Sequence, residues 1–167
     1  MNLLSLWQSL EASALGVYIA ESSWAFPTIE CIHVIALVTV VGTIAIMDLR
    51  LLSIASRDTA VTLMSRDTLP FTWGAFVLAA ITGSLLFVSK ATSYAHNPYF
   101  IAKMVCLFLA GANMAIFHST AWKTVSKWDS DVAIPLGGKI AGLLSLFFWV
   151  LVVFFGRAIG FTLGIYG

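Results

Sequence analysis

The sequence predicts an all-α fold: an integral membrane four-helix bundle in a single domain, preceded by an N-terminal amphipathic interfacial helix. Three observations carry this expectation. Of 167 residues, 60% are hydrophobic and 10% charged, whereas a soluble domain carries about a quarter charged residues. Mean hydropathy is +0.96. Four apolar runs, at about 27–49, 71–89, 99–119 and 139–157, come close to or exceed the roughly 20 residues that cross a bilayer.

The N-terminal segment 1–22 comes first. Leu3, Leu4, Trp7, Leu10, Ala14 and Tyr18 fall near one face of a helix, while Ser5, Gln8, Ser9 and Glu11 fall mostly elsewhere. That pattern suits a helix lying in the membrane interface, or a cap packed on the bundle. No Lys or Arg precedes Arg50, so the segment lacks the basic start of a signal peptide and reads as retained. The first span enters with Trp24 and Pro27, carries Glu30 and His33 one turn apart, is uncharged from Val34 to Met47, and closes on Asp48-Leu49-Arg50. The second span is short and uncharged. The third contains Lys103, Asn113 and His118, and the fourth is bounded by Lys139 and Arg157. Gly74, Ala75, Ala79 and Gly83 on the second span, with Ala110, Gly111 and Ala115 on the third, suit close helix approach in lipid. Cys31 and Cys106 lie in apolar runs and read as small buried residues.

Charge placement then gives an orientation. Arg50, Arg57, Arg66, Lys123, Lys127 and Lys139 lie by the first and third connections, against Lys90, Lys103 and Arg157 on the other side. Basic residues stay inside, so both termini are expected in the periplasm of a bacterial inner membrane. A formal net charge of +1 and the absence of a basic patch give no reason to expect nucleic acid. Trp7, Trp24, Trp73, Trp122 and Trp128 fall near expected interfaces as an aromatic belt. Nothing has the spacing of a phosphate loop, a hydrolase triad or a redox Cys pair.

An ionisable side chain inside a span is expensive, and is a functional candidate by default. Two sites emerge. The first and third spans run the same way, so His33 and His118 differ in height by about 20 Å on a rise of ~1.5 Å per residue; one iron cannot take both from one protomer. The outer site would gather Glu30, His33, Lys103 and Arg157, with Lys90 and His96 at the same level. An axial His with Lys and Arg for two propionates is what a membrane haem b needs. Proton or quinone chemistry, and a hydrogen-bonded structural His, are the other readings of His33. The inner site would gather Asp48, Arg50 and His118, either as an ion pair at a helix end or as a second haem site, with Met47 and Met114 at that level. A di-iron centre needs two Glu-x-x-His motifs and two further Glu, and only Glu30-x-x-His33 is present.

Trp24-x-Phe-Pro-x-x-Glu30-x-x-His33 followed by Met47-Asp48-Leu49-Arg50 resembles an uncharacterised family of small bacterial four-helix membrane proteins, a domain of unknown function. Pro70-Phe71-x-Trp73, Thr82-Gly83, Asn97-Pro98, Lys103-Met104, Asn113 with Phe117-His118, and Gly156-Arg157 extend the likeness from Trp24 to Arg157. The layout is also loosely similar to copper-resistance D-type proteins, to the membrane protoporphyrinogen oxidase, and to membrane b-type cytochromes. Together these imply a haem b protein, with one or two haems per chain. His33, His118 and His96 are the candidate metal ligands; Lys103, Arg157 and Glu30 would line the cofactor. Expected partners are the lipid bilayer, a quinone, a redox partner protein, and further copies or subunits of a membrane complex. A cofactor-free anchor subunit and a small proton or metal transporter are the alternatives.

Overall fold

The computed structural model describes residues 3–130 and 133–165. The elements are α1 (Leu3–Glu11), α2 (Ala14–Glu21), α3 (Ala25–Leu51), α4 (Val61–Ser89), α5 (Ala91–His96), α6 (Pro98–Ser119), a 3-10 helix (Ala121–Lys127) and α7 (Leu136–Thr162), with no strand among the described residues. Helices α3, α4, α6 and α7 are each long and apolar enough to cross a bilayer. Even the shortest, at 22 residues, rises about 33 Å. The chain is an all-α, multi-pass membrane protein.

Helix α3 packs on α4 and α6 on α7, and the two pairs meet through α3 and α7. Helices α4 and α6 pack little if at all on one another, and residues of both line one cavity. We call the end that carries α1, α2 and α5 the terminal end, and the end that carries the α3–α4 loop and the 3-10 helix the loop end. Outward faces are apolar: Val34, Ile35 and Val38 on α3, and Phe147, Val150 and Phe154 on α7, are exposed. An apolar surface of that extent suits lipid, not water. Inside, Val40, Cys106, Ala110, Trp149 and Val152 form the middle layer, and Leu51, Val61, Phe117, Trp128, Ile134 and Ala141 form the layer at the loop end. The α3–α7 crossing depends on Gly142, where a Cβ would meet the Asp48 carbonyl oxygen at 3.1 Å and Leu51 Cβ at 3.1 Å.

Four expectations change here. Helix α4 begins at Val61, not near residue 71, and carries Pro70 inside it. A Pro before an apolar run looks like a helix start, but the start is made elsewhere. Asp129 caps it from a distance, its Oδ1 accepting from Thr62 N at 2.8 Å and its Oδ2 from Thr62 Oγ1 at 2.6 Å. The N-terminal segment is two helices with a corner between them. Ser13 Oγ accepts from Gly16 N at 3.1 Å, and a Cβ on Gly16 would sit 2.7 Å from the Glu11 carbonyl oxygen. On α2 the buried residues are Gly16 and Ile19, whereas Ala14 and Tyr18 face outward. The pair packs on the terminal end, where Glu11 accepts from Thr92 N at 3.1 Å and Thr92 Oγ1 at 2.8 Å. Cys31 is exposed while Cys106 is buried, because position 31 falls on the outward face of α3. Trp128 is buried in the loop-end core, not part of a belt.

Candidate functional site

His33 is half-buried and held against α4 by hydrogen bonds. Its Nδ1 lies 3.0 Å from the Ala79 carbonyl oxygen and 3.0 Å from Thr82 Oγ1, both on α4. The Thr82 hydroxyl proton is given to the Leu78 carbonyl at 2.7 Å. A carbonyl oxygen only accepts, so Nδ1 carries the imidazole proton and Nε2 presents its lone pair. The ring lies against Gly83, where a Cβ would come within 3.0 Å of His33 Cε1. The seat is therefore one carbonyl, one hydroxyl and one absent side chain, on successive turns of α4. This is how a ligating histidine is oriented when its second nitrogen is tied down.

Lys103 of α6 reaches the same region, within electrostatic reach of His33, and its Nζ would lie 3.7 Å from a Cβ on Gly156 of α7. Among the described residues the one ion pair is Arg66–Asp67 at 3.5 Å. Among the described residues, therefore, no carboxylate pairs with the Lys103 ammonium. Above the pair, toward the terminal end, an aromatic cluster closes the bundle. Trp7 meets Phe87 edge-on at 5.5 Å, Phe87 stacks on Phe100 at 5.4 Å, and Tyr94 lies 5.4 Å from Phe100. Burial, and then the Glu30 charge, push the Tyr94 hydroxyl up to about 12, so it remains a neutral donor.

The other sequence candidates are placed differently. Glu30 is exposed one turn above His33. Arg157 is exposed and lays its guanidinium over the Phe161 ring at 4.4 Å, away from His33. His96 is exposed, its Nδ1 donating to the Thr92 carbonyl at 2.8 Å within its own helix. Lys90 stacks over Phe26 at 5.4 Å. His118 stands at the loop end, between Phe117 and Trp122. Only His33 and Lys103 of the outer set are brought together. Among the described residues no three His, Cys, Asp or Glu side chains converge to hold a metal ion.

The inner cluster also separates. Asp48 and Arg50, both buried, form no ion pair. Arg50 Nε donates to the Thr59 carbonyl at 2.7 Å and Nη2 to the Asp129 carbonyl at 3.4 Å, tying down the α3–α4 loop. Asp48 turns the opposite way, toward Ser145 of α7. It lines a cavity of about 200 Å³ enclosed by α3, α4, α6 and α7. Positions 48 and 50 lie about 160° apart around a helix, so their spacing already sets the two side chains on nearly opposite faces and argues against a single cluster. In the sequence Ala79 and Gly83 read as small residues for helix packing and Thr82 only as part of the family pattern, so nothing marks the three as a histidine seat.

Comparison with known proteins adds the family. No curated protein and no solved structure matches the chain. A family model does, over residues 7–162, a range that takes in α3, α4, α6 and α7 and both clusters above. The protein belongs to the family of unknown function DUF6644.

Proposed function

We propose that the protein is a small membrane b-type cytochrome, in which His33 would hold the haem iron and Lys103 would bind one of the haem's carboxylates. The observation that carries this reading is the His33 seat. Hydrogen bonds to Ala79 and Thr82 fix the proton on Nδ1 and leave Nε2 as a Lewis base beside an ammonium that no carboxylate pairs with among the described residues. A ligand that satisfies both is a Lewis acid carrying an anionic arm, which is the chemistry of haem. The donor set fits one haem per chain: one imidazole at this height and one cation. Arg157 and Glu30 belong to the rim and not to the ligand shell.

A bound haem would supply one-electron exchange at its iron. The chain does the rest. The Ala79 carbonyl holds the imidazole in one tautomer and makes Nε2 a stronger donor. Gly83 lets the ring lie flat on α4. Lys103 neutralises an acid in a medium where an unpaired charge costs several kcal/mol. Phe87, Tyr94 and Phe100 keep bulk water from the terminal end. The basic residues at the loop end orient that end toward the cytoplasm, so the His33 level lies near the periplasmic face of a bacterial inner membrane. The protein's partners on this reading are a quinol or a periplasmic redox protein, and it works as a homo-oligomer or a subunit of a larger membrane complex.

The test is haem content in the purified His33→Ala and Lys103→Met variants. The reading predicts loss of bound haem in His33→Ala and reduced retention in Lys103→Met, with both variants still extracted as folded protein. Wild-type protein that is colourless from haem-replete cells would contradict it and would favour a cofactor-free anchor subunit.

A further inference from the structure

We propose that the cavity at the loop end binds the head group of a lipid-soluble hydroquinone, with Asp48 accepting a hydrogen bond from a ring hydroxyl. Three observations point to a ligand there. Asp48 is 5% exposed, and its Oδ2 has no hydrogen-bond partner among the described residues. A polar atom held so deep without a partner is rare in native structures. The cavity onto which Asp48 opens measures about 200 Å³. An apolar cavity of roughly 150 Å³ takes benzene, so this one takes a single substituted ring and not a porphyrin. Its walls include Trp73, Phe76 and Trp149, faces on which an aromatic ring packs well.

Hydrogen-bond polarity selects the redox form. Asn113 Nδ2 donates to the Ala141 carbonyl at 2.9 Å, which leaves its Oδ1 as an acceptor. His118 Nδ1 donates to the Met114 carbonyl at 2.9 Å, which leaves Nε2 as an acceptor. Both residues line the same cavity. With Asp48 Oδ2, which has no hydrogen-bond partner among the described residues, they offer three acceptors around the cavity. A hydroquinone brings hydroxyl donors to these acceptors, whereas a quinone brings none. An isoprenoid or alkyl tail would leave between α4 and α6, which pack little on one another. This inference names the electron donor of the proposed cytochrome, but it is read from a separate cavity that neither His33 nor Lys103 lines.

The experiment is a titration of the detergent-purified full chain with decylubiquinol under argon, with decylubiquinone and decylammonium as separate probes, read by tryptophan fluorescence and calorimetry. Two variants accompany the wild type. Asp48→Leu removes the acceptor. Gly111→Leu fills the cavity from a position where a Cβ meets nothing within 4 Å. Expected is saturable quinol binding, roughly tenfold or more weaker in Asp48→Leu and lost in Gly111→Leu, with quinone bound more weakly than quinol. Asp48→Leu should also melt at or above the wild-type temperature, which separates a ligand-binding Asp from a structural one. His33→Ala should bind quinol unchanged even where it has lost haem, so the two proposals fail separately. Quinol binding that is absent, or indifferent to both variants, would overturn the inference. So would preferential, Asp48-dependent binding of decylammonium.

Discussion

At His33 a neighbour that can only accept decides the tautomer, and a neighbour with no side chain decides the ring position. Gly83→Ala should therefore act on the imidazole and not on the fold: a methyl 3.0 Å from Cε1 forces the ring off the Ala79 carbonyl. We expect haem occupancy to fall severalfold with the melting temperature little changed, checked by pyridine haemochrome alongside thermal unfolding. Asp48 is the converse case. A buried acceptor without a donor costs about 1–3 kcal/mol, so Asp48→Leu should leave stability equal or higher while weakening ligand binding. At the loop end, Asp129 acts as a helix cap supplied from far along the chain. The Thr62 hydroxyl, chiefly, against a small burial cost, with the Thr62 and Val61 amides and Arg50, holds its carboxyl below the usual carboxylate range. A depressed acid stabilises the fold above its unfolded value, about pH 4, and that contribution is lost as pH falls through the lower folded value. Asp129→Ala should cost about 1 kcal/mol near neutral pH. The difference from wild type in a detergent melting series should shrink as the pH is taken below 4.

At the scale of elements, the four spans were legible because an apolar run of membrane length has few other uses. Their ends were less so. Helix α4 gains a further turn and more before Pro70 because Asp129 satisfies its first amides, a contact made 67 residues away that no local pattern announces. The single N-terminal amphipathic stripe became two helices because Gly16 permits a corner where any Cβ would strike the Glu11 carbonyl. Of the candidate site, His33 and Lys103 were legible as ionisable groups in apolar runs; that Arg157 faces Phe161 was not, since helical phase at a span end is set by packing. Helix crossing itself makes a prediction. Gly142→Leu must push α3 from α7 at Asp48 and Leu51, distorting the cavity wall. Overpacking of this kind costs about 1–3 kcal/mol; the melting temperature should fall and quinol binding with it, while haem at the terminal end is retained.

Across the whole molecule, polar function is divided between two levels of one bundle. The terminal end holds an imidazole and an ammonium under an aromatic roof; the loop end holds a carboxyl with one oxygen unpartnered among the described residues, in a ring-sized cavity. Between them stands the apolar layer of Val40, Ala110, Trp149 and Val152. The two levels suit the proposed exchange of electrons between a membrane-soluble donor and a haem, and the haem is the part of that proposal to test first. The most direct measurement is the dithionite-reduced minus oxidised absorption spectrum of the detergent-purified chain from haem-replete cells, with haem counted by pyridine haemochrome. The account predicts sharp reduced α and Soret bands and one haem b per chain, abolished in His33→Ala. A spectrum without those bands, or bands unchanged by His33→Ala, would contradict it.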